Sequence, residues 1–184
     1  MFNSNNNILT DNNVSYNDLG IRLRNYVLYN NYGIVFVGCA YNNTMTNNNV
    51  SHNQLGMHLC YSNNNIIYLN NFIDNEDNVY SYNSTNIWNS TLKITYTYNG
   101  KQFTNYLGNY WSDYEGSDSD GDGIGDTPYS IDSDKDEYPL MEPFGNYFAP
   151  PENQPPTASF TFSPKNPLVN EEITFNASAS TDPD

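Results

Sequence analysis

The sequence predicts an all-β chain: the C-terminal rungs of a right-handed parallel β-helix, a β-hairpin cap, an Asp-rich calcium loop and an incomplete Ig-like sandwich. Three observations predict its stacked rungs, and the parts that follow rest on motifs and resemblances taken up below. A short motif recurs about every 22 residues, with apolar and polar residues alternating two by two. Asn and Gly fall where each repeat has to turn. Hydrophobic residues make up 37% of the chain and aromatics 15%, which is too little for a large spherical core and too aromatic for plain disorder. That balance suits a thin core in which each short apolar run stacks on the next.

The repeat occupies the first eighty residues or so. Val14-Ser15-Tyr16-Asn17-Asp18-Leu19-Gly20 returns as Val27-Leu28-Tyr29-Asn30-Asn31-Tyr32-Gly33 and as Val50-Ser51-His52-Asn53-Gln54-Leu55-Gly56. A second box, two Asn, four residues, two Asn and then Val or Phe, begins at Asn6, Asn42 and Asn64. Alternation assigns the interior. Leu9, Met45 and Ile67 form one inward column and Val14, Val50 and Phe72 a second. Ile21, Ile34 and Met57 form a third, and Leu23, Phe36 and Leu59 a fourth. Asn12, Asn48 and Asn70 fall in register as a side-chain ladder between rungs. The rung from Gly20 to Gly33 is only 13 residues long. At roughly 3.3 Å per residue it cannot trace the full perimeter, so it has lost a strand or takes a shortcut. Residues 3–78 resemble the NosD-like, carbohydrate-binding and sugar-hydrolase (CASH) family of right-handed β-helices in the pectin-lyase-like superfamily.

After Asn75 the repeat is expected to dissolve, and residues 79–114 are expected to cap the rungs of 1–78. Lys93-Ile94-Thr95-Tyr96-Thr97-Tyr98 and Gln102-Phe103-Thr104-Asn105-Tyr106 flank Asn99-Gly100, a type I′ hairpin signal. A hairpin followed by Leu107-Gly108-Asn109-Tyr110-Trp111 would plug the apolar end and the open strand edges of a helix of strands.

Residues 115–138 form the acidic loop. Asp118, Asp120 and Asp122 alternate, and Gly123 stands at the sharp-turn position of an EF-hand loop. The twelfth position is Tyr129 rather than Glu, and Asp126 falls at the ninth, so the run is similar to a thrombospondin type 3 calcium repeat. Asp132, Asp134 and Asp136 form a second alternating set that would complete the shell. An all-oxygen set favours Ca2+ over zinc or copper, and Mg2+ dehydrates reluctantly. The block from Asn109-Tyr110-Trp111 through Asp126-Thr127-Pro128-Tyr129 to Tyr138-Pro139-Leu140-Met141 resembles the segment that follows NosD-like repeats in surface proteins of methanogenic archaea.

Residues 139–155 read as a linker with a stiff Pro150-Pro151 to Pro155-Pro156 stretch. Residues 156–184, with Thr157-Ala158-Ser159-Phe160-Thr161-Phe162 and Glu172-Ile173-Thr174-Phe175-Asn176-Ala177-Ser178, resemble the start of a PKD domain. So short a piece cannot close a sandwich of roughly a hundred residues and is expected to be unpaired or poorly ordered.

The net charge of −15, from six basic and 21 acidic residues, disfavours nucleic acid and anionic lipid. No run approaches a membrane span, and Met1-Phe2-Asn3-Ser4-Asn5 is no signal peptide, so the chain reads as a fragment of an extracellular or cell-surface protein. Cys39 and Cys60 lie nearly one repeat apart, either bridged or simply buried. Sugar hydrolysis needs two carboxylates across one bond. The candidates Asp11, Asp18, Arg22, Arg24 and Asp74 supply no pair on a common face, so no catalytic residue is expected. The NosD resemblance carries a copper association, for which Met45, His52, Met57, His58 and Cys60 are the soft or borderline ligands. Sequons begin at Asn13, Asn42, Asn49, Asn83, Asn89 and Asn176. The expected role is a structural or glycan-binding surface module whose partners are cell-surface glycans or other surface proteins. The rivals are a polysaccharide-active enzyme with its catalytic rungs upstream and a copper-maturation protein.

Overall fold

The structure, a computed structural model, describes residues 5–15, 19–24, 32–37, 40–132, 134–148 and 155–182. They are almost entirely strand, turn and loop, with one short 3-10 helix at Phe144–Tyr147. The chain divides into two compact units, Met1–Ala149 and Pro150–Asp184.

In the first unit, strands from successive passes of the chain stack in parallel into three sheets. The passes are β1 (Ile8–Thr10), β2 (Asn13–Ser15) and β3 (Leu19–Arg24), then β4 (Tyr32–Val37) alone, then β5 (Thr44–Thr46), β6 (Asn49–Ser51) and β7 (Leu55–Cys60), and finally β8 (Ile66–Ile67), β9 (Asn71–Ile73) and β10 (Asp77–Tyr82). The first sheet runs β1-β5-β8. The second contains β2, β6 and β9 side by side, and the third runs β10-β7-β4-β3. The short rung is thereby explained. Its only strand among the described residues, β4, lies between β3 and β7, while β1 meets β5 and β2 meets β6 directly. It adds one strand to the third sheet and bypasses the other two.

The register follows the alternation. Leu9 pairs with Met45 and Met45 with Ile67; Val14 pairs with Val50 and Val50 with Phe72. All six side chains are buried. Ile21, Ile34 and Met57 share one backbone row, and Leu23, Phe36 and Leu59 share another. Ile34, Met57 and Leu59 are buried, while the side chains of Ile21, Leu23 and Phe36 lie outside the described set. Among the described residues the passes turn at matching places through left-handed backbone: Asn6, Asn42 and Asn64 at one corner, Asp11, Asn47 and Leu69 at the next, His52 and Asp74 at a third. Asn and Asp tolerate this conformation; Leu69 and His52 are held in it by the passes on either side.

Parallel stacking does not stop at residue 78. β10 pairs with β7 as far as Tyr82, Ile87 bridges to Ile66, and β13 (Tyr110–Trp111) pairs with β9. The last pass carries an insertion, and this is why the repeat looked finished. β11 (Ile94–Tyr98) and β12 (Lys101–Asn105) form the antiparallel hairpin, with Asn99 and Gly100 both at positive φ as a type I′ turn requires.

The expected Asn ladder is present. The Asn12 Nδ2 donates to Asn48 Oδ1 at 2.8 Å, and Asn48 Nδ2 donates to Asn70 Oδ1 at 2.8 Å. Their backbone N–H groups donate to the same oxygens at 3.1 Å. The ladder continues from Asn70 to Asn109, both bonds repeated at 2.9 and 3.2 Å. A parallel ladder runs Asn7, Asn43, Asn65, Asn86.

In the second unit, β16 (Thr161–Ser163) and β17 (Thr174–Asn176) pair antiparallel, and Thr157 bridges to Thr181. The expectation of an unpaired tail is therefore corrected. The two strands close on a Phe162–Phe175 ring contact at 6.1 Å, although Phe160 and Phe175 stay about two-thirds exposed. Residues 149–154, which include most of the expected proline linker, lie outside the described set.

Replacing Asn48 by Ala leaves buried amide partners above and below it unsatisfied. It should destabilise the chain by roughly 1–3 kcal/mol in urea titration, against less than about 0.5 kcal/mol for Leu92→Ala at an exposed site.

Candidate metal centre

The acidic loop leaves the stack after Trp111 and returns through a small antiparallel pair, β14 (Tyr129–Ile131) and β15 (Asp134–Asp136). Its start is wound tightly by its own backbone. Asp118 accepts from the N–H groups of Gly121 and Gly123, both at 2.8 Å, and Asp122 accepts from Ile124 N–H at 2.8 Å. Gly121 and Gly123 have φ of +74° and +87°. At Gly123 a Cβ would also come within 2.7 Å of the Tyr98 ring, so only glycine fits there.

This winding brings Asp118, Asp120 and Asp122 together, with one carboxylate oxygen from each lying within 4.8 Å of the others. The loop rests on a buried bed of Tyr96, Tyr98, Leu107, Ile124, Leu140 and Tyr147. The Tyr96 hydroxyl donates to the Asp122 carbonyl at 2.9 Å, and the Tyr147 hydroxyl donates to the Gly123 carbonyl. The electrostatics are those of crowded negative charge. Burial first, and the neighbouring Asp120 and Asp118 second, raise the Asp122 carboxyl above its ordinary value. Burial and the same three carboxylates hold the Tyr96 phenol far above its usual range.

The other expected ligands go elsewhere. Asp126 accepts through one oxygen from Ser117 Oγ at 3.1 Å and from Ser119, whose hydrogen bond is the main cause of its lowered pKa. Asp132, Asp134 and Asp136 end the stack instead. Asp132 accepts from Ser81 N–H at 2.6 Å. Asp134 terminates one Asn ladder, accepting from Asn86 N–H at 2.9 Å and from the Trp88 indole at 3.2 Å. Asp136 terminates the other, accepting from Asn109 N–H at 2.7 Å, Asn109 Nδ2 at 3.2 Å, the Trp111 indole at 3.0 Å and Tyr138 N–H at 3.0 Å. Strand alternation on β15 aims both side chains at the ladders while Lys135 between them is exposed. Asp113 closes a third set, taking Asn78 Nδ2 at 2.7 Å and the Tyr129 hydroxyl at 3.1 Å.

Sequence reasoning did not find these ladder ends. The 22-residue spacing would have located Asn109 but for the inserted hairpin, which stretches its separation from Asn70 to 39 residues. Burial drives the Asp136 carboxyl up to about 7, against the pull of its four N–H partners. Space for it exists because position 108 is Gly; a Cβ there would overlap the Asp136 carboxylate.

Only two of the catalytic candidates, Asp11 and Asp74, have described side chains. Asp11 and Asp74 stand at different corners, Asp74 at 3.8 Å from His52 Nε2. Asp18, and the side chains of Arg22 and Arg24, lie outside the described residues, as does Cys39; Cys60 is a free, partly buried thiol.

The model of one protein family, described as periplasmic copper-binding protein (NosD), matches residues 1–116. No curated protein and no solved structure matches the chain. Among the described residues, His52, His58 and Cys60 join no group of three potential ligands. Met45 and Met57 are fully buried core side chains on different sheets, and His52 sits at a corner against Asp74. The carboxylate trio is the only group of three potential His, Cys, Asp or Glu ligands among the described residues, and its donors are hard oxygens.

The raised Asp136 pKa sets a pH dependence. With a folded value near 7 against an ordinary 3.8, the folded state keeps its proton where the unfolded state has lost it. Stability from this group is full below about pH 4 and is lost as pH rises through 7, falling by at most roughly 1.4 kcal/mol for each pH increment of about one. Melting temperature measured from pH 4 to pH 8 should fall in the parent more steeply than in Asp136→Asn.

Proposed function

The chain belongs to the NosD family, and on that premise we propose that it is a non-enzymatic scaffold of the periplasm or cell surface. In this reading its passes wind as a right-handed parallel β-helix, its outer faces meet surface glycans or other surface proteins, and Ca2+ braces its C-terminal end. The observation that carries the last part is the convergence of Asp118, Asp120 and Asp122 on a loop clamped to the Tyr96 and Tyr147 hydroxyls. Three carboxylates this close repel one another, and a divalent cation coordinated by oxygen removes that repulsion. Asp126, Asp132, Asp134 and Asp136 are left out of the proposed shell because other donors already hold them.

The family match and the parallel register support the scaffold; no helix among the described residues is long and apolar enough to cross a membrane. The second unit supports, by its resemblance to the start of a PKD domain, a role as the first piece of a projecting array, with the cation stiffening the segment before it. The family match, whose description is of a copper-binding protein and not of a hydrolase, favours the non-enzymatic reading over a sugar hydrolase.

Calorimetry on the full chain tests the cation. Ca2+ should bind with 1:1 stoichiometry and raise the melting temperature by several degrees, and Asp120→Asn, at an exposed position, should weaken binding at least tenfold without lowering the metal-free melt. Absence of calcium heat at millimolar concentration, or a stronger response to Cu2+, would overturn the assignment.

A further inference from the structure

An open cleft on the outer face of the third sheet is lined by aromatic, imidazole, amide and carboxylate groups. It encloses about 570 Å³ between Gln54, Leu55, His58, Glu76, Asp77 and Tyr80. That volume lies within the usual range for small-ligand sites. Gln54, Glu76 and Asp77 come from the turn between the second and third sheets and the first residue of β10; His58 and Tyr80 stand side by side on β7 and β10. The His58 ring meets the Tyr80 ring edge-on at 5.3 Å and 61°, which fixes the Tyr face, and Tyr80 remains 45% exposed.

The lining is chemically one-sided. Among the described residues it offers a flat aromatic face, an imidazole, an amide and two carboxylates, and no Lys or Arg. An aromatic ring beside side-chain oxygens suits a ring with apolar C–H faces and polar edges. The two carboxylates decide the charge of that ring. In a chain of net charge −15 they repel a uronic acid or a sulfated sugar and attract an ammonium group. A bare metal ion is not the better occupant, because Glu76, Asp77 and His58 do not converge as a ligand group.

From this we infer that the Gln54–His58–Glu76–Asp77–Tyr80 cleft binds an amino-sugar unit of a cationic glycan, with the ring on Tyr80 and the ammonium between Glu76 and Asp77. The inference rests on the glycan-binding part of the scaffold reading and narrows it to one face and one class of sugar.

The full chain, with calcium present, is titrated calorimetrically at pH 6 with glucosamine hexamer, N-acetylglucosamine hexamer and galacturonate hexamer. The glucosamine hexamer should bind saturably, the acetylated hexamer at least tenfold more weakly and the galacturonate hexamer not measurably. The double variant Glu76→Gln, Asp77→Asn and the single variant Tyr80→Ala should each lose at least tenfold in affinity for glucosamine hexamer. Their melting temperatures should stay unchanged, because all three positions are exposed. Equal binding of the acetylated hexamer, or undiminished binding by the double variant, overturns the assignment. So does binding of oligolysine in place of the glucosamine hexamer, which would make the cleft a peptide site. Neutral glycans bound equally by parent and variants would sink the cleft and leave glycan binding elsewhere on the scaffold intact; no glycan bound at all would sink both.

Discussion

A directional hydrogen-bond ladder governs this chain. Each Asn gives both its backbone N–H and its side-chain amide to the carboxamide oxygen of the Asn one pass further on, as Asn12 does to Asn48 and Asn48 to Asn70. The side-chain amide has further donor capacity, and at Asn48, Asn70 and Asn109 it reaches back to a carbonyl of the preceding pass. Such a ladder is self-consistent in its interior and incomplete at its end. The last Asn still has donors to place, and the residue beyond it has no further pass to donate to. An Asp side chain, whose two oxygens can accept and which carries no amide donors to place, is the one that fits. Asp136 ends one ladder and Asp134 the other, and each also takes the indole N–H of the tryptophan beside it.

The apolar columns stop in the same place for a related reason. Phe72 stacks on Trp111 at 4.4 Å, and Trp111 on Tyr129 at 4.3 Å, both nearly parallel. Trp88 joins the same cluster, 5.9 Å from Trp111. Large rings cover the open end of a narrow core with few residues, and their single polar groups are absorbed by the ladder ends. Burial holds the Tyr129 phenol up at about 12, so the ring that closes the stack stays neutral while its hydroxyl donates to Asp113. Only register has to be kept from pass to pass. The chain can therefore add a lone strand at β4, or insert the hairpin β11–β12, without disturbing a column.

Much of the stack was legible in the sequence because its signal is repeated: Leu9, Met45 and Ile67 each occupy the same place in the Asn box, and Asn12, Asn48 and Asn70 do too. The hairpin was legible because Asn99-Gly100 admits few backbones. What could not be read was anything that occurs once. Asn109 belongs to the ladder, but the insertion moves it out of period. Asp134 and Asp136 alternate just as Asp118, Asp120 and Asp122 do, and alternation alone does not tell a strand from a ligand loop. The glycines separate the two runs. Gly121 and Gly123 bend the first run back on itself, whereas Lys135 leaves the second one extended.

The carboxylates of this end of the chain therefore fall into two groups that differ in how their charge is met. Asp136, fully buried, faces four N–H groups within the protein. Asp118, Asp120 and Asp122 meet mainly backbone N–H groups of their own loop and one another. For the first group the fold itself supplies every donor, so its charge is tied to the integrity of the stack. For the second, the donors come from the loop's own backbone and the repulsion within the trio remains. The same residue type thus ends a stack where the fold brings it donors from separate segments, and crowds its own kind where a loop turns back on itself.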